Sequence, residues 1–99
     1  QARTSSVFTK DGRVNISNAP HRKEFFPIEQ DCNCYTCKNY TRAYLCHLFR
    51  AKEMVAATLA TIHNQHFIVG LVEKMRLAIE NGDFFEFKDQ FMLRYYGRQ

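Results

Sequence analysis

The stretch Asp31-Cys32-Asn33-Cys34-Tyr35-Thr36-Cys37 places three thiols within six residues as C-x-C-x2-C, and twenty-five residues separate Cys37 from His63. Three thiolates and one imidazole make the ligand set of a tetrahedral Cys3His zinc site. Both donor types are soft to borderline, and no carboxylate competes inside the cluster. One tight loop can wrap three corners of the tetrahedron, so the fourth must come from a distant element, stapling the loop to it. Four protein donors leave no open position for water. The expectation is one structural Zn2+ held by Cys32, Cys34, Cys37 and His63. The alternative, free or disulfide-bonded cysteines, is disfavoured because thiols this close are badly placed for unstrained disulfides with one another. Cys46 reads as a small core thiol, and His47 and His66 as weaker rivals for the fourth corner.

The elements that must position these residues are partly legible. Val7 to Ile16 reads as a two-stranded ribbon, with Asp11-Gly12 as its type I′ turn and Val14 and Ile16 on one face. Such a ribbon is marginal alone and must lie on something else. From Ser17 to Asp31 the pattern dissolves between Pro20 and Pro27. There Phe25, Phe26 and Ile28 are expected to pin the loop to the body, the alternative being aromatics that stack on nucleotide bases beside Arg22 and Lys23. Thr41 can cap a helix from Arg42, with Tyr44, Leu45, Leu48 and Phe49 as its apolar stripe. Residues 52–62 are helical in pattern, with Met54, Val55, Leu59 and Ile62 as core. Asn64 can cap a further helix that Gly82 ends, and Asp83 caps a last one carrying Phe84, Phe87, Phe91, Met92 and Tyr95. This gives an α+β chain in two stretches, hairpin and metal loop over residues 1–51 and helices over 52–99.

A chain of 99 residues is one domain at most, with a core modest enough for a metal staple to matter. Its net charge of +4 suits an anionic partner without naming one. No apolar run approaching a membrane span and no signal peptide are read. Clustered thiols at metal-ligand spacing point to a reducing, cytoplasmic setting, where the sequons at Asn15 and Asn39 mean nothing. The opening Gln1-Ala2-Arg3, without Met, suggests a piece of something longer.

At this point the residues resemble a family. Cys32-x-Cys34-x2-Cys37, Tyr40-Thr41-Arg42-Ala43-Tyr44-Leu45 and Thr61-Ile62-His63-Asn64 are similar to the C-terminal end of tRNA-guanine transglycosylases, the queuine tRNA-ribosyltransferase family. So are Phe8-Thr9, Asp11-Gly12, Ile16 and Asn18-Ala19 upstream, and Ala78-Ile79, Gly82, Phe84 and Phe87 downstream. The resemblance covers essentially the whole chain. It implies the C-terminal zinc-binding region of a (β/α)8 barrel enzyme that exchanges the wobble guanine of tRNA for a 7-deazaguanine base in queuosine biosynthesis. An aspartate nucleophile of the family attacks C1′ of the ribose, and a second aspartate serves acid–base roles. None of Asp11, Asp31, Asp83 or Asp89 matches either, so this chain alone is expected to be inactive. Arg3 matches a family arginine close to the bound anticodon loop. Cys46 stands where the family often has histidine. The resemblance also implies a homodimer through this region. Two other readings are a non-catalytic zinc-containing partner subunit and a free-standing zinc module that binds RNA.

Overall fold

A computed structural model describes residues 5–97. Two antiparallel strands, β1 (Ser6–Thr9) and β2 (Gly12–Asn15), lead into a 3-10 turn at Ala19–Lys23. Four helices follow: α1 (Tyr35–Asn39), α2 (Arg42–Arg50), α3 (Met54–Asn81) and α4 (Phe84–Tyr96). The strands pair Val7 with Val14 and Thr9 with Gly12. Alternation along the ribbon buries Val7, Thr9 and, just past β2, Ile16.

The ribbon was expected, but its turn is shifted by one residue. Thr9 and Gly12 are partners, so Lys10 and Asp11 form the turn and Gly12 opens β2. Among the described residues only Lys52 is a non-glycine with positive φ, so the turn is not type I′. Gly12 takes φ +118° instead, and a Cβ there would sit 3.1 Å from the carbonyl oxygen of Tyr95. Glycine thus serves both the twist of the ribbon and the close approach of α4. An ion pair from Arg94 to Asp11 (2.7 Å) closes the same contact.

The loop between β2 and α1 is held mainly by one arginine. Arg42 donates from Nη1 to Glu24 (3.0 Å) and from Nη2 to the carbonyl of Ile28 (2.8 Å). Its guanidinium also lies 5.3 Å from the centre of the Phe26 ring. Burial would raise the Glu24 carboxyl, but hydrogen bonds from His21 and Arg42 outweigh it and leave that carboxyl below its usual range. Of the three residues expected to pin the loop, Ile28 is fully buried, Phe26 is partly exposed under Arg42, and Phe25 is 74% exposed. The guanidinium does what Phe25 was expected to do, because its fork reaches several acceptors at once.

Thr41 caps α2 through its hydroxyl, which accepts from the Tyr44 N–H at 3.1 Å. Leu45 and Leu48 are buried, whereas Tyr44 faces out. The expected break at Asn64 does not exist: α3 runs unbroken for 28 residues. Asn64 spends its side chain elsewhere, accepting from the Phe8 N–H (3.0 Å) and donating to the Ser6 carbonyl (2.9 Å). A side chain that mimics a neighbouring strand satisfies the open edge of β1 and so docks the ribbon on α3. Met54 and Val55, expected in the core, are exposed, and Ala56 and Ala60 take their place beside Leu59. At this turn α1 lies directly on α3, with the Thr36 hydroxyl donating to the Leu59 carbonyl at 2.6 Å.

The core lies where ribbon, loop, α1, α2 and the first half of α3 meet, with Val7, Ile16, Ile28, Leu45, Leu48 and Leu59 as its bulk. Beyond His63 only Ala78 in α3 is buried, and α4 has no buried residue. The second half of α3 and α4 project as a pair, giving extents of 47 × 27 × 24 Å. By length and composition alone α3 passes the minimum for a membrane span, an 18-residue window having mean hydropathy 1.2, but His63-Asn64-Gln65-His66 interrupts it and no uninterrupted apolar run is present in it. Its first half is also occupied by the core just described.

Both α2 and α3 end in the same hydrogen-bond pattern. Glu53 and Lys52 N–H groups return to Leu48 and Phe49 (both 3.0 Å), and those of Asp83 and Gly82 return to Ala78 (3.0 Å) and Ile79 (3.2 Å). The left-handed position is glycine in one case, Gly82 at φ 79°, and Lys52 at φ 60° in the other. An L side chain there costs about 1 kcal/mol. Replacing Lys52→Gly should therefore raise stability in urea unfolding by up to about 1 kcal/mol, and Gly82→Ala should lower it by a similar amount. A destabilised Lys52→Gly protein would contradict this account of the α2 terminus.

Candidate metal centre

The C-x-C-x2-C stretch forms a loop that runs directly into α1. Cys34 is the N-cap of that helix, its sulfur accepting the Cys37 N–H at 3.3 Å. Cys32 in turn accepts the Cys34 N–H at 3.5 Å. The C-x2-C spacing therefore puts a cap residue and the third helical residue on one turn, and both sulfurs point the same way.

His63 meets them from the middle of α3. Its Nδ1 lies 3.6 Å from the Cys32 sulfur, 3.5 Å from that of Cys34 and 3.4 Å from that of Cys37. One imidazole lone pair cannot hydrogen-bond with three sulfurs at once. A tetrahedron with metal–sulfur distances of ~2.3 Å and a metal–nitrogen distance of ~2.0 Å requires nitrogen–sulfur separations of about 3.5 Å. All four donor atoms lie within 4.8 Å of one another, so the group could hold a metal ion. The opposite nitrogen, Nε2, is 2.7 Å from the carbonyl oxygen of Phe8. A carbonyl only accepts, so Nε2 carries the proton and Nδ1 presents its lone pair to the sulfurs.

Electrostatics make the same demand. Burial pushes the Cys32 and Cys37 thiols up and His63 down, so without a cation the neutral forms are favoured. Three thiolates could not share this volume unpaired. A divalent cation reverses that balance, and the donor set fits one. Among the described residues this is the one group of at least three such side chains able to hold a metal.

The rivals for the fourth corner lie elsewhere. Cys46 is buried, its thiol 3.6 Å from the Asn18 carbonyl. His47 packs beside Tyr44 with ring centres 6.4 Å apart, and His66 is exposed. Arg3 lies outside the described residues. What the residue pattern did not reveal are the groups that orient the ligands: the Phe8 carbonyl, the Thr36 bond to Leu59, and Asn64. A backbone carbonyl has no signal in sequence, and Asn64 looked like a cap.

Comparison with known proteins now gives the site a setting. The family model described as Queuine tRNA-ribosyltransferase matches residues 1–97. The chain is 50% identical to a queuine tRNA-ribosyltransferase of Caldanaerobacter subterraneus, over 99% of this chain and 26% of that protein. It is 49% identical to one from a Thermoanaerobacter species, over 95% of this chain and 25% of that protein. A Helicobacter pylori protein of the same name is 48% identical over 98% of this chain and 26% of its own length. The chain thus spans about a quarter of the curated relatives it matches. On the match across residues 1–97, this chain belongs to the queuine tRNA-ribosyltransferase family.

Proposed function

We propose that this chain is the C-terminal zinc-binding part of a tRNA-guanine transglycosylase. In that setting the whole protein replaces the wobble guanine of tRNA with a 7-deazaguanine base, in the cytoplasm. The observation that carries this reading is a family match over nearly the whole chain that includes a buried Cys3His cluster of tetrahedral dimensions. The catalytic barrel and its aspartates belong to the part of the protein not represented here, so residues 1–99 support the chemistry rather than perform it.

Cys32, Cys34, Cys37 and His63 would hold one Zn2+. Bound there, the ion supplies charge compensation and a cross-link, since four protein donors leave no site for water or substrate. The residues around it have separate tasks. The loop 32–37 brings three donors, α3 brings the fourth, and the Phe8 carbonyl fixes the imidazole tautomer. The ribbon is thereby joined to the metal through His63 and to α3 through Asn64. Native mass spectrometry of the full-length protein should find one zinc per chain, and none in Cys34→Ser, Cys37→Ser or His63→Ala. Full occupancy in all three variants would remove the assignment.

The activity has a direct test. The full-length protein should exchange labelled guanine into tRNA, and a chain limited to residues 1–99 should give background only, having no nucleophile for the covalent step. Exchange by the short chain would overturn the division of labour. Arg3 is assigned to a backbone phosphate of the anticodon loop. Arg3→Ala in the full-length protein should weaken tRNA binding and reduce the salt slope by about 0.7, as for one lost contact to single-stranded RNA. An unchanged affinity at two salt concentrations would leave Arg3 without that role.

A homodimer through this region is supported by a stack of rings on the outside of α1 and α2. Tyr40 and Tyr44 stack at 5.6 Å with planes 11° apart, and Tyr35 and His47 extend the row. Tyr35 is 56% exposed and Tyr44 48%. Exposed, mutually braced rings lose little freedom on burial and make good interface anchors. In the full-length protein Tyr44→Ala should weaken dimerisation about tenfold or more in analytical ultracentrifugation, with zinc content unchanged. A dimer constant that does not move would place the interface elsewhere.

A further inference from the structure

The four donors are unequally protected. Cys34, Cys37 and His63 are buried, whereas Cys32 is only partly so. Cys32 forms part of the wall of an open groove of about 400 Å³ between the metal loop, α3 and α4, which Phe67, Leu71, Phe87 and Phe91 also line. Of the three cysteines of the set, Cys32 is thus the one that a small polar reagent entering this groove meets first. The other sulfurs wait within 4.8 Å of it.

We propose that Cys32 makes the centre a redox-sensitive staple that opens on oxidation by a hydroperoxide. This rests on the reading of the four residues as a zinc site, since metal binding is what holds Cys32 as a thiolate, the nucleophilic form. The Cys32 sulfur attacks the peroxide oxygen: a sulfur–oxygen bond forms, the oxygen–oxygen bond breaks, and hydroxide leaves. Cys32 is oxidised by two electrons to the sulfenic acid, and the peroxide is reduced. The Cys37 thiolate then attacks that sulfur, forming a disulfide and expelling a second hydroxide. In total two thiolates and one hydrogen peroxide give one disulfide and two hydroxides. Cys37 resolves rather than Cys34 because the six-residue Cys32–Cys37 loop is less strained than the C-x-C ring, and the strain that a bridge between such close thiols keeps makes it easily reduced. With two donors consumed the ion is no longer held. The loop then loses the metal link to His63, while the Thr36 hydroxyl bond to Leu59 still ties α1 to α3. Thiol–disulfide exchange with a dithiol restores both donors, so the step is reversible.

This placement matters because α1 carries Tyr35 and leads directly to Tyr40 and Tyr44. Opening the staple would shift the exposed ring stack without touching the catalytic part of the protein.

The test uses zinc-loaded full-length protein treated with hydrogen peroxide. A chromophoric chelator follows zinc release, and a sulfenic-acid trap followed by peptide mass spectrometry locates the first oxidised sulfur. Zinc should leave in step with the loss of two thiols, the trap should mark Cys32 first, and a dithiol with added zinc should restore the metal. Cys32→His, which keeps a zinc donor that peroxide does not oxidise readily, should release zinc at least tenfold more slowly. A first mark on Cys34, Cys37 or Cys46, or zinc release without thiol loss, overturns the proposal in the wild-type protein alone, even if Cys32→His fails to load. Protein that contains no zinc before treatment would instead defeat the zinc reading, a different result from zinc that is present and indifferent to peroxide.

Discussion

Three buried or half-buried sulfurs and one imidazole converge on a volume that fits a cation, and much of the surrounding architecture serves to bring them there. The loop must turn so that Cys32 and Cys34 face the same point, which makes Cys34 the cap of α1 and sets where that helix begins. The fourth donor must arrive from a rigid element. His63 does so from the middle of α3, where helical neighbours fix its backbone and the Phe8 carbonyl fixes its ring. A ligand at a helix terminus would fray with it.

The hairpin depends on the same point. Two short strands cannot persist alone, and the polar attachments of this pair to the helices include the His63 bond to Phe8, the Asn64 clamp on Ser6 and Phe8, and the Asp11 ion pair with Arg94. The first two come from adjacent residues of α3. The Cys3His group and the sheet edge are thus read by successive side chains, His63 facing the sulfurs through Nδ1 and Asn64 facing the strand backbone. The ribbon cannot shift register without disturbing the imidazole, because a one-residue slip would replace the Phe8 carbonyl with a neighbour pointing the other way.

The molecule is also unequal along its length. Around the Cys3His group lies the buried core, with Val7, Ile16, Ile28, Leu45, Leu48 and Leu59 covered. Past His63 the α3–α4 pair exposes Val69, Ile79, Phe85 and Leu93. Apolar surface of this extent is the mark of an interface rather than of a finished exterior. It agrees with a chain that matches about a quarter of its relatives' length, and a barrel packed on this face is what the proposed function supplies.

Sequence by itself singled out the four residues that the structure brings together, because Cys32, Cys34, Cys37 and His63 are chemically distinctive and three of them are neighbours. It also determined what depends on local chemistry: the ribbon, the Thr41 cap, and the stop at Gly82, where φ is positive. The family was legible for the same reason, since several short motifs stand in register around the cysteines. Tertiary structure alone decided the rest. Asn64 has the same side chain whether it caps a helix or clamps a strand, and only the proximity of β1 selects the clamp. Met54 and Val55 are more apolar than Ala56 and Ala60, yet the face of α3 that meets the core is the one carrying the alanines and Leu59. Phe25 looks like an anchor and is not one, because Arg42 already holds the loop through acceptors that no periodicity reveals. Local pattern records what a residue prefers. Which preference is met depends on which distant backbone atoms come within reach, and that is fixed only when the chain closes on itself.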